Sequence, residues 1–269
     1  MESILTPASP AVPPAPYLGG KRRLAANIIE RIASRPHTTY VEPFVGMGGV
    51  FLRRPFKARA EVINDVSRDV ANLFRVLQRH YVPLMDMLRW QLTSRAEFER
   101  LRAAVPDTLT DLERAARFLY LQRTAFGGKI SGRTFGVSPS TSARFDVAKL
   151  GPILEDIHDR LAGVVIECLP FDRLIAAYDR PDTLFYLDPP YWGNETDYGD
   201  GVFSRADFES LAARLADIKG RFILSLNDVP GVRGTFAAFD IEAVETVYTV
   251  NGARQKKVGE VLIMGGGAR

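Results

Sequence analysis

With 269 residues and 46% hydrophobic side chains, the chain can fill one large α/β domain, or a domain carrying a smaller insert, and disorder of the whole chain is excluded. Lys plus Arg number 35 against 32 Asp plus Glu, and the net charge of +3 suits a polyanionic partner without requiring one. The single cysteine, Cys168, excludes an intramolecular disulfide and a thiolate zinc site, and His37, His80 and His158 show no ligand spacing, so no metal is expected and a reducing cytoplasm is the default.

The opening stretch MESILTPASPAVPPAP lacks the basic and apolar regions of a signal peptide, and no run of about 18 apolar residues follows anywhere, so no membrane contact is expected. Its Pro/Ala-rich composition reads as a flexible, extended arm over residues 1–16, ending at Tyr17. TTYVEPFVG (38–46) is a short apolar strand ending in glycine, and GGVFLRR turns helical after it. AEVINDVSRDVANLFRVLQRHY repeats the form, with a strand to Ile63, an acidic tip at Asn64-Asp65 and a helix from Arg68. Two such units in tandem imply a parallel sheet.

Residues 80–159 change character. Arg/Glu/Leu-rich helical stretches lead into the Gly/Ser/Thr-rich GGKISGRTFGVSPSTSARF, which reads as an inserted helical subdomain with a basic loop or hairpin. Strands return at 163–169, 183–188, 220–228, 241–250 and 260–265, so residues 17–79 and 160–269 form the main domain.

In EPFVGMGG, glycines after a strand let a ligand approach the backbone at a helix N-terminus, or make a plain tight turn. A third glycine of the dinucleotide fingerprint would fall at Phe51, which argues against NAD. Asp65, at the next strand end, stands where such folds place an acid that accepts from both ribose hydroxyls, or it caps the following helix. Glu42 meets a cationic part of a ligand or caps locally. In FYLDPPYW (185–192) an apolar strand delivers Asp188 to the sheet edge, and two prolines remove N–H donors and fix φ. Such a corner offers acceptors only: the Asp188 carboxylate and the Pro189 carbonyl can take both hydrogens of an exocyclic amino group, while Tyr191 gives its ring a flat face.

Over Tyr17–Gly265 these pieces, in this order, resemble the Dam-like (D12 class, α-group) DNA adenine-N6 methyltransferases. The resemblance implies a Rossmann-like class I methyltransferase sheet with helices on both faces, plus an inserted, mostly helical target-recognition subdomain with a hairpin or loop. It implies S-adenosylmethionine as cofactor. YLGGKRRLAANI, with Tyr17 and Lys21, resembles the motif whose lysine approaches the methionine carboxylate. EPFVGMGG, with Glu42, Phe44, Gly46 and Gly48, resembles the F-x-G-x-G motif around the methionine part, and Asp65 matches the ribose acid. LPFD (169–172) falls where the family holds the cofactor adenine, giving Phe171 a packing role and Asp172 an acceptor role. DPPY (Asp188, Pro189, Pro190, Tyr191) is the catalytic motif, and KKVGEVLI resembles the late strand motif beside the target pocket.

Within the insert, FLYLQRTAFGGKISGR resembles the family's recognition run, implying that Arg123 touches DNA and Phe126 sits near the gap left by a flipped base. Gln122 and Gly127 depart from the asparagines of many relatives. Lys129, Arg133 and Arg144 read equally as phosphate contacts or solvated surface. Double-stranded DNA is the implied partner, with no obligatory protein partner, and a monomer is expected, in a bacterial or phage setting.

The resemblance implies methyl transfer to adenine N6 after base flipping, with Tyr191 and Trp192 as stacking walls. Same-chemistry alternatives are cytosine N4, RNA adenine or a glutamine amide, the last disfavoured by Asp rather than Asn at 188. An inactive DNA-binding protein of the same fold is the alternative from another class, and Lys21, Gly46, Asp65 and Asp188 argue against it.

Overall fold

The computed structural model describes residues 5–136, 143–199, 201–250 and 254–267; residues 137–142 of the expected basic loop lie outside them. After a short strand β1 (Thr6–Pro7), helix α1 (Ala25–Ala33) leads into β2 (Thr39–Glu42). A two-residue strand β3 (Phe56–Lys57) precedes β4 (Ala60–Asn64) and α2 (Arg68–Arg79). Four further helices follow: α3 (Tyr81–Leu88), α4 (Arg95–Ala103), α5 (Asp111–Thr124) and α6 (Val147–Arg160). Then follow β5 (Val165–Glu167), α7 (Phe171–Tyr178), β6 (Thr183–Leu187), α8 (Arg205–Ala216), β7 (Arg221–Asn227), α9 (Pro230–Thr235), β8 (Asp240–Val250) and β9 (Arg254–Gly266).

Seven strands form one sheet in the order β5-β4-β2-β6-β7-β9-β8, parallel except for β9, which runs antiparallel to both its neighbours. Every residue of β6 is buried, as a continuous apolar run in a sheet covered on both faces should be. Alternate side chains serve opposite faces. Leu184, Tyr186, Leu262 and Met264 join Ile28 and Ile32 of α1 in one core, whereas Phe185, Leu187, Val261 and Ile263 join Leu174 of α7 and Phe208, Leu211 and Leu215 of α8 in the other. This is the expected α/β sheet with helices on both faces, and the chain reverses its direction of travel across the sheet between β2 and β6.

Helices α3 to α6 share the first core through α2, with Leu84, Phe98, Phe118, Leu150 and Leu154 buried together with Leu73 and Leu77. Helix α5 begins in a reciprocal cap, in which the Thr110 N–H donates to Glu113 Oε2 at 2.9 Å and the Glu113 N–H to Thr110 Oγ1 at 3.3 Å. At its far end an antiparallel bridge between Ala125 and Phe135 closes the Gly-rich loop.

The N-terminal stretch departs from expectation. From Leu5 to Tyr17 it is packed: β1 pairs with β3, the Ala8 N–H donates to Pro55 O, the Ala11 N–H donates to Leu52 O, and Ala11 and Ala15 are buried. Prolines and alanines carry few donors to satisfy and lose little entropy on packing, so the composition that reads as a loose arm also suits an extended strip laid in a groove.

Candidate active site

Three acids close three neighbouring parallel strands. Glu42 ends β2, Asp65 follows β4 and Asp188 follows β6, and all three line one cavity of about 640 Å³ at the carboxyl edge of the sheet. That edge, where the strand order reverses, is where open α/β sheets form ligand crevices.

The loop after β2 shapes one wall. Gly46 has φ +51°, and a Cβ there would lie 2.9 Å from the Tyr17 ring, so glycine lets that ring close over the turn. Gly48, at φ +73°, does not line the cavity; a Cβ there would meet Leu52 at 2.8 Å, and its glycine serves the turn and the packing beneath it. The Gly46 N–H donates to Asp65 Oδ2 at 3.0 Å and the Ser67 N–H to Asp65 Oδ1 at 2.9 Å. Each carboxylate oxygen has two acceptor sites, so both retain capacity for a ligand hydroxyl. Burial pushes the Asp65 carboxyl up to about 6, against those two N–H groups. Glu42 is deeper: the buried Tyr40 hydroxyl donates to its Oε2 at 2.9 Å, and burial pushes its carboxyl up to about 8, opposed by Arg54. Phe44 extends this wall and packs against Phe171 and Phe203, with ring centres 5.8 and 6.0 Å away.

Asp188 stands in a second cluster. Lys21 Nζ lies 2.6 Å from its Oδ1, and the Ser225 hydroxyl donates to the same oxygen at 3.1 Å. Burial raises the Asp188 carboxyl above its ordinary range while Lys21 pulls it back. Lys21 also donates to the Tyr191 hydroxyl at 2.7 Å, which donates to Glu260 Oε2 at 2.6 Å. The expected partner of Lys21 was a ligand carboxylate; here its ammonium rests on Asp188. Pro189 and Pro190 are buried, and Pro190 lines the cavity. Trp192 faces elsewhere: its ring packs on Phe208 at 4.9 Å and under the Arg205 guanidinium at 3.9 Å, while Asn227 clamps its main chain.

The site gathers some expected residues and leaves others outside. Tyr17, Lys21, Glu42, Phe44, Gly46, Asp65, Asp188 and Pro190 line the cavity, as does Arg123. Phe171 stands behind Phe44, and Asp172 is exposed in the first turn of α7, away from the lining. Arg123 Nη1 donates to Pro14 O at 2.7 Å and Nε to Arg144 O at 3.1 Å, fastening the N-terminal strip to α5. Arg133 is likewise turned inward, donating to Gln122 Oε1 at 3.1 Å and to Lys129 O at 3.2 Å. Phe126, 57% exposed, Lys129 and Arg144 are all exposed to solvent.

Sequence reasoning missed Tyr198, Phe203, Arg53, Ser225 and Glu260. Tyr198 lines the cavity beside Tyr17, with ring centres 6.0 Å apart, and its hydroxyl donates to Leu18 O at 3.0 Å. Glu260 carried a signal: it lies inside the KKVGEVLI run, as an acid directly before the apolar Val261–Ile263 of β9, and it is fully buried. Among the described residues no group of His, Cys, Asp and Glu side chains could hold a metal ion, and no helix is long and apolar enough to cross a membrane.

Residues 17–250 match the family described as D12 class N6 adenine-specific DNA methyltransferase. The chain is 27% identical over 263 residues to the Type II methyltransferase M1.LlaDCHI of Lactococcus lactis subsp. cremoris, an alignment covering 91% of each chain. It is 26% identical over 264 residues to a DNA adenine methylase of Salmonella typhi, covering 92% of this chain and 93% of that one. It is 22% identical over 213 residues to the Type II methyltransferase M.CviBI of Paramecium bursaria Chlorella virus NC1A, covering 78% of this chain and 81% of that one.

Proposed function

The chain belongs to the D12 class N6 adenine-specific DNA methyltransferases, and from that premise we propose that its cavity binds S-adenosylmethionine and that the Asp188 corner receives a flipped adenine. The donor set of the cavity fits the cofactor. Asp65 offers an acceptor for the ribose hydroxyls, Glu42 an acid for the α-ammonium, and Phe44, Val66 and Phe203 an apolar wall for the purine, while Arg53 lines the wall with positive charge for the carboxylate, Lys21 being engaged by Asp188. When bound, the cofactor supplies an electrophilic methyl group.

The protein's own part is orientation and electrostatics. Adenine N6 is a poor nucleophile because its lone pair is delocalised into the ring. Accepting both amino hydrogens, at the Asp188 carboxylate and the Pro189 carbonyl, frees that lone pair for attack. Asp188 takes the proton only after N6 has become positive, when the N–H turns acidic. N6 is inaccessible within a duplex, so the base leaves the stack and lies against the Tyr191 ring, whose hydroxyl Glu260 holds. Unstacking costs a few kcal/mol, offset by DNA contacts of the insert over residues 80–159, with Phe126 near the vacated gap and Lys129 and Arg144 on phosphates. The chain works as a cytoplasmic monomer on double-stranded DNA.

The observation that carries this reading is the junction of Asp188 with Asp65 and Glu42 around one cavity. Expression in a host lacking adenine methylation, with modified bases mapped by long-read sequencing, gives both product and target site. Asp188→Ala should abolish the modification while the purified variant still binds S-adenosylmethionine and DNA. Near-normal methylation by Asp188→Ala would overturn the mechanism.

A further inference from the structure

Lys21 presents a difficulty for the reaction. Its ammonium sits on Asp188 Oδ1, which also accepts from Ser225. An ammonium there is an N–H donor in the place where the adenine amino group needs an acceptor. It also neutralises the carboxylate that must attract the amino hydrogens, and it opposes the positive charge that develops on N6. The arrangement satisfies the charge of Asp188, yet it has to open before chemistry.

The structure contains the means of opening it. Glu260 Oε2 lies 3.9 Å from Lys21 Nζ, against 2.6 Å for Asp188, so a shift of little more than an ångström exchanges one carboxylate for the other. The Tyr191 hydroxyl bridges the two positions, accepting from Lys21 at 2.7 Å and donating to Glu260 at 2.6 Å, and the ammonium rides over the Tyr191 ring at 4.3 Å. Lys21 and Glu260 are almost wholly buried, at 2% and 0% exposure. A buried ammonium cannot simply retreat to water and needs a second anion to move to. Glu260 is fixed on β9 opposite Asn227 of β7, and is therefore not itself a moving part.

We propose that Glu260 is the second seat of the Lys21 ammonium: the amino group of the target adenine displaces Lys21 from Asp188 onto Glu260, and Tyr191, held by Glu260, guides the transfer. Glu260 is thus a positioning residue for the reaction. This inference rests on the reading of Asp188 as the acceptor for the target base.

The test compares two duplexes bearing the methylation site mapped as above, one with adenine at the target and one with purine, which lacks the amino group and leaves Lys21 on Asp188. Glu260→Gln should lower the single-turnover rate on adenine DNA by about tenfold or more, as loss of one positioning contact does. Its affinity for the adenine duplex should fall while its affinity for the purine duplex stays within about twofold, because only the amino group calls for the displacement. Glu260→Asp, which keeps the charge but draws it back from Lys21, should show the same adenine-only loss to a smaller degree, and it carries the comparison if the Gln variant does not fold. A wild-type rate in either folded variant, or an equal loss of affinity for both duplexes, overturns the proposal. Asp188→Ala, run alongside, separates the two readings. An active Asp188→Ala removes the acceptor assignment, whereas an inactive one beside a normal Glu260→Gln removes only the role of Glu260.

Discussion

At the scale of single residues, the site is built from acids held where water is scarce, and this gives it a pH signature. The folded-state carboxyl of Glu42, at about 8 against an ordinary 4.5, keeps a proton that the unfolded chain releases. The native state then binds more protons than the unfolded state, so the ligand-free protein loses stability as pH rises from about 4.5 through about 8. Asp65 acts in the same direction between 3.8 and about 6. Glu42→Gln should therefore raise the melting temperature of the ligand-free protein at pH 8 and flatten its pH dependence, while weakening S-adenosylmethionine binding; thermal unfolding across pH and calorimetry check the two halves. Asp65→Ala should weaken that binding by about 1–3 kcal/mol through loss of charged hydrogen bonds to ribose, also by calorimetry. Asp188→Asn keeps the size but loses the charge and can present a donor, and its single-turnover rate should fall by about two orders of magnitude, or about 2.7 kcal/mol. Tyr191→Phe adds a further comparison: it keeps the stacking face but removes the hydroxyl between Lys21 and Glu260, so it should retain more activity than Tyr191→Ala yet less than the wild type.

At the scale of elements, strands whose sequence ends in a functional corner were legible. The apolar run Thr183–Leu187 followed by Asp188 and two prolines states both its burial and its break within eight residues, and the glycine turn after β2 is equally local. What could not be read depends on distant partners: Ser225 reaches Asp188 across 37 positions and Glu260 reaches Tyr191 across 69. Arg123 shows a related limit. An arginine near the end of a helix looks the same whether its guanidinium faces phosphates or the carbonyls of Pro14 and Arg144. The two roles separate experimentally. Arg123→Ala should lower the melting temperature and weaken cofactor binding, because the strip from Val12 to Tyr17 walls the cavity. Lys129→Ala should leave the melting temperature unchanged and reduce the slope of log affinity for DNA against log salt by about one, measured by fluorescence anisotropy.

At the scale of the whole molecule, S-adenosylmethionine bound as proposed should act as a structural brace, since the cavity joins β2, β4 and β6 to the N-terminal strip and to α5. At a hundredfold excess over its dissociation constant it should add about 2.7 kcal/mol, a rise of roughly 5–10 °C in melting temperature for a chain of this size. Asp65→Ala should lose most of that rise at the same concentration.

The proline-rich strip has a thermodynamic consequence of its own. Val12, Pro13, Ala15, Pro16 and Tyr17 wall the cavity, while Gln122 and Arg123 of α5 hold the carbonyls of Pro16 and Pro14. One short stretch of chain thereby links the cavity to α5. If DNA displaces α5 or the loop that follows it, the free energy of methyl-donor binding changes, and reciprocity requires the donor to change DNA affinity by the same factor. Titrations around the closed cycle should give a coupling factor different from one, and Arg123→Ala should bring it closer to one. Donor and DNA would then answer to each other through residues 12–17, which touch neither reacting atom.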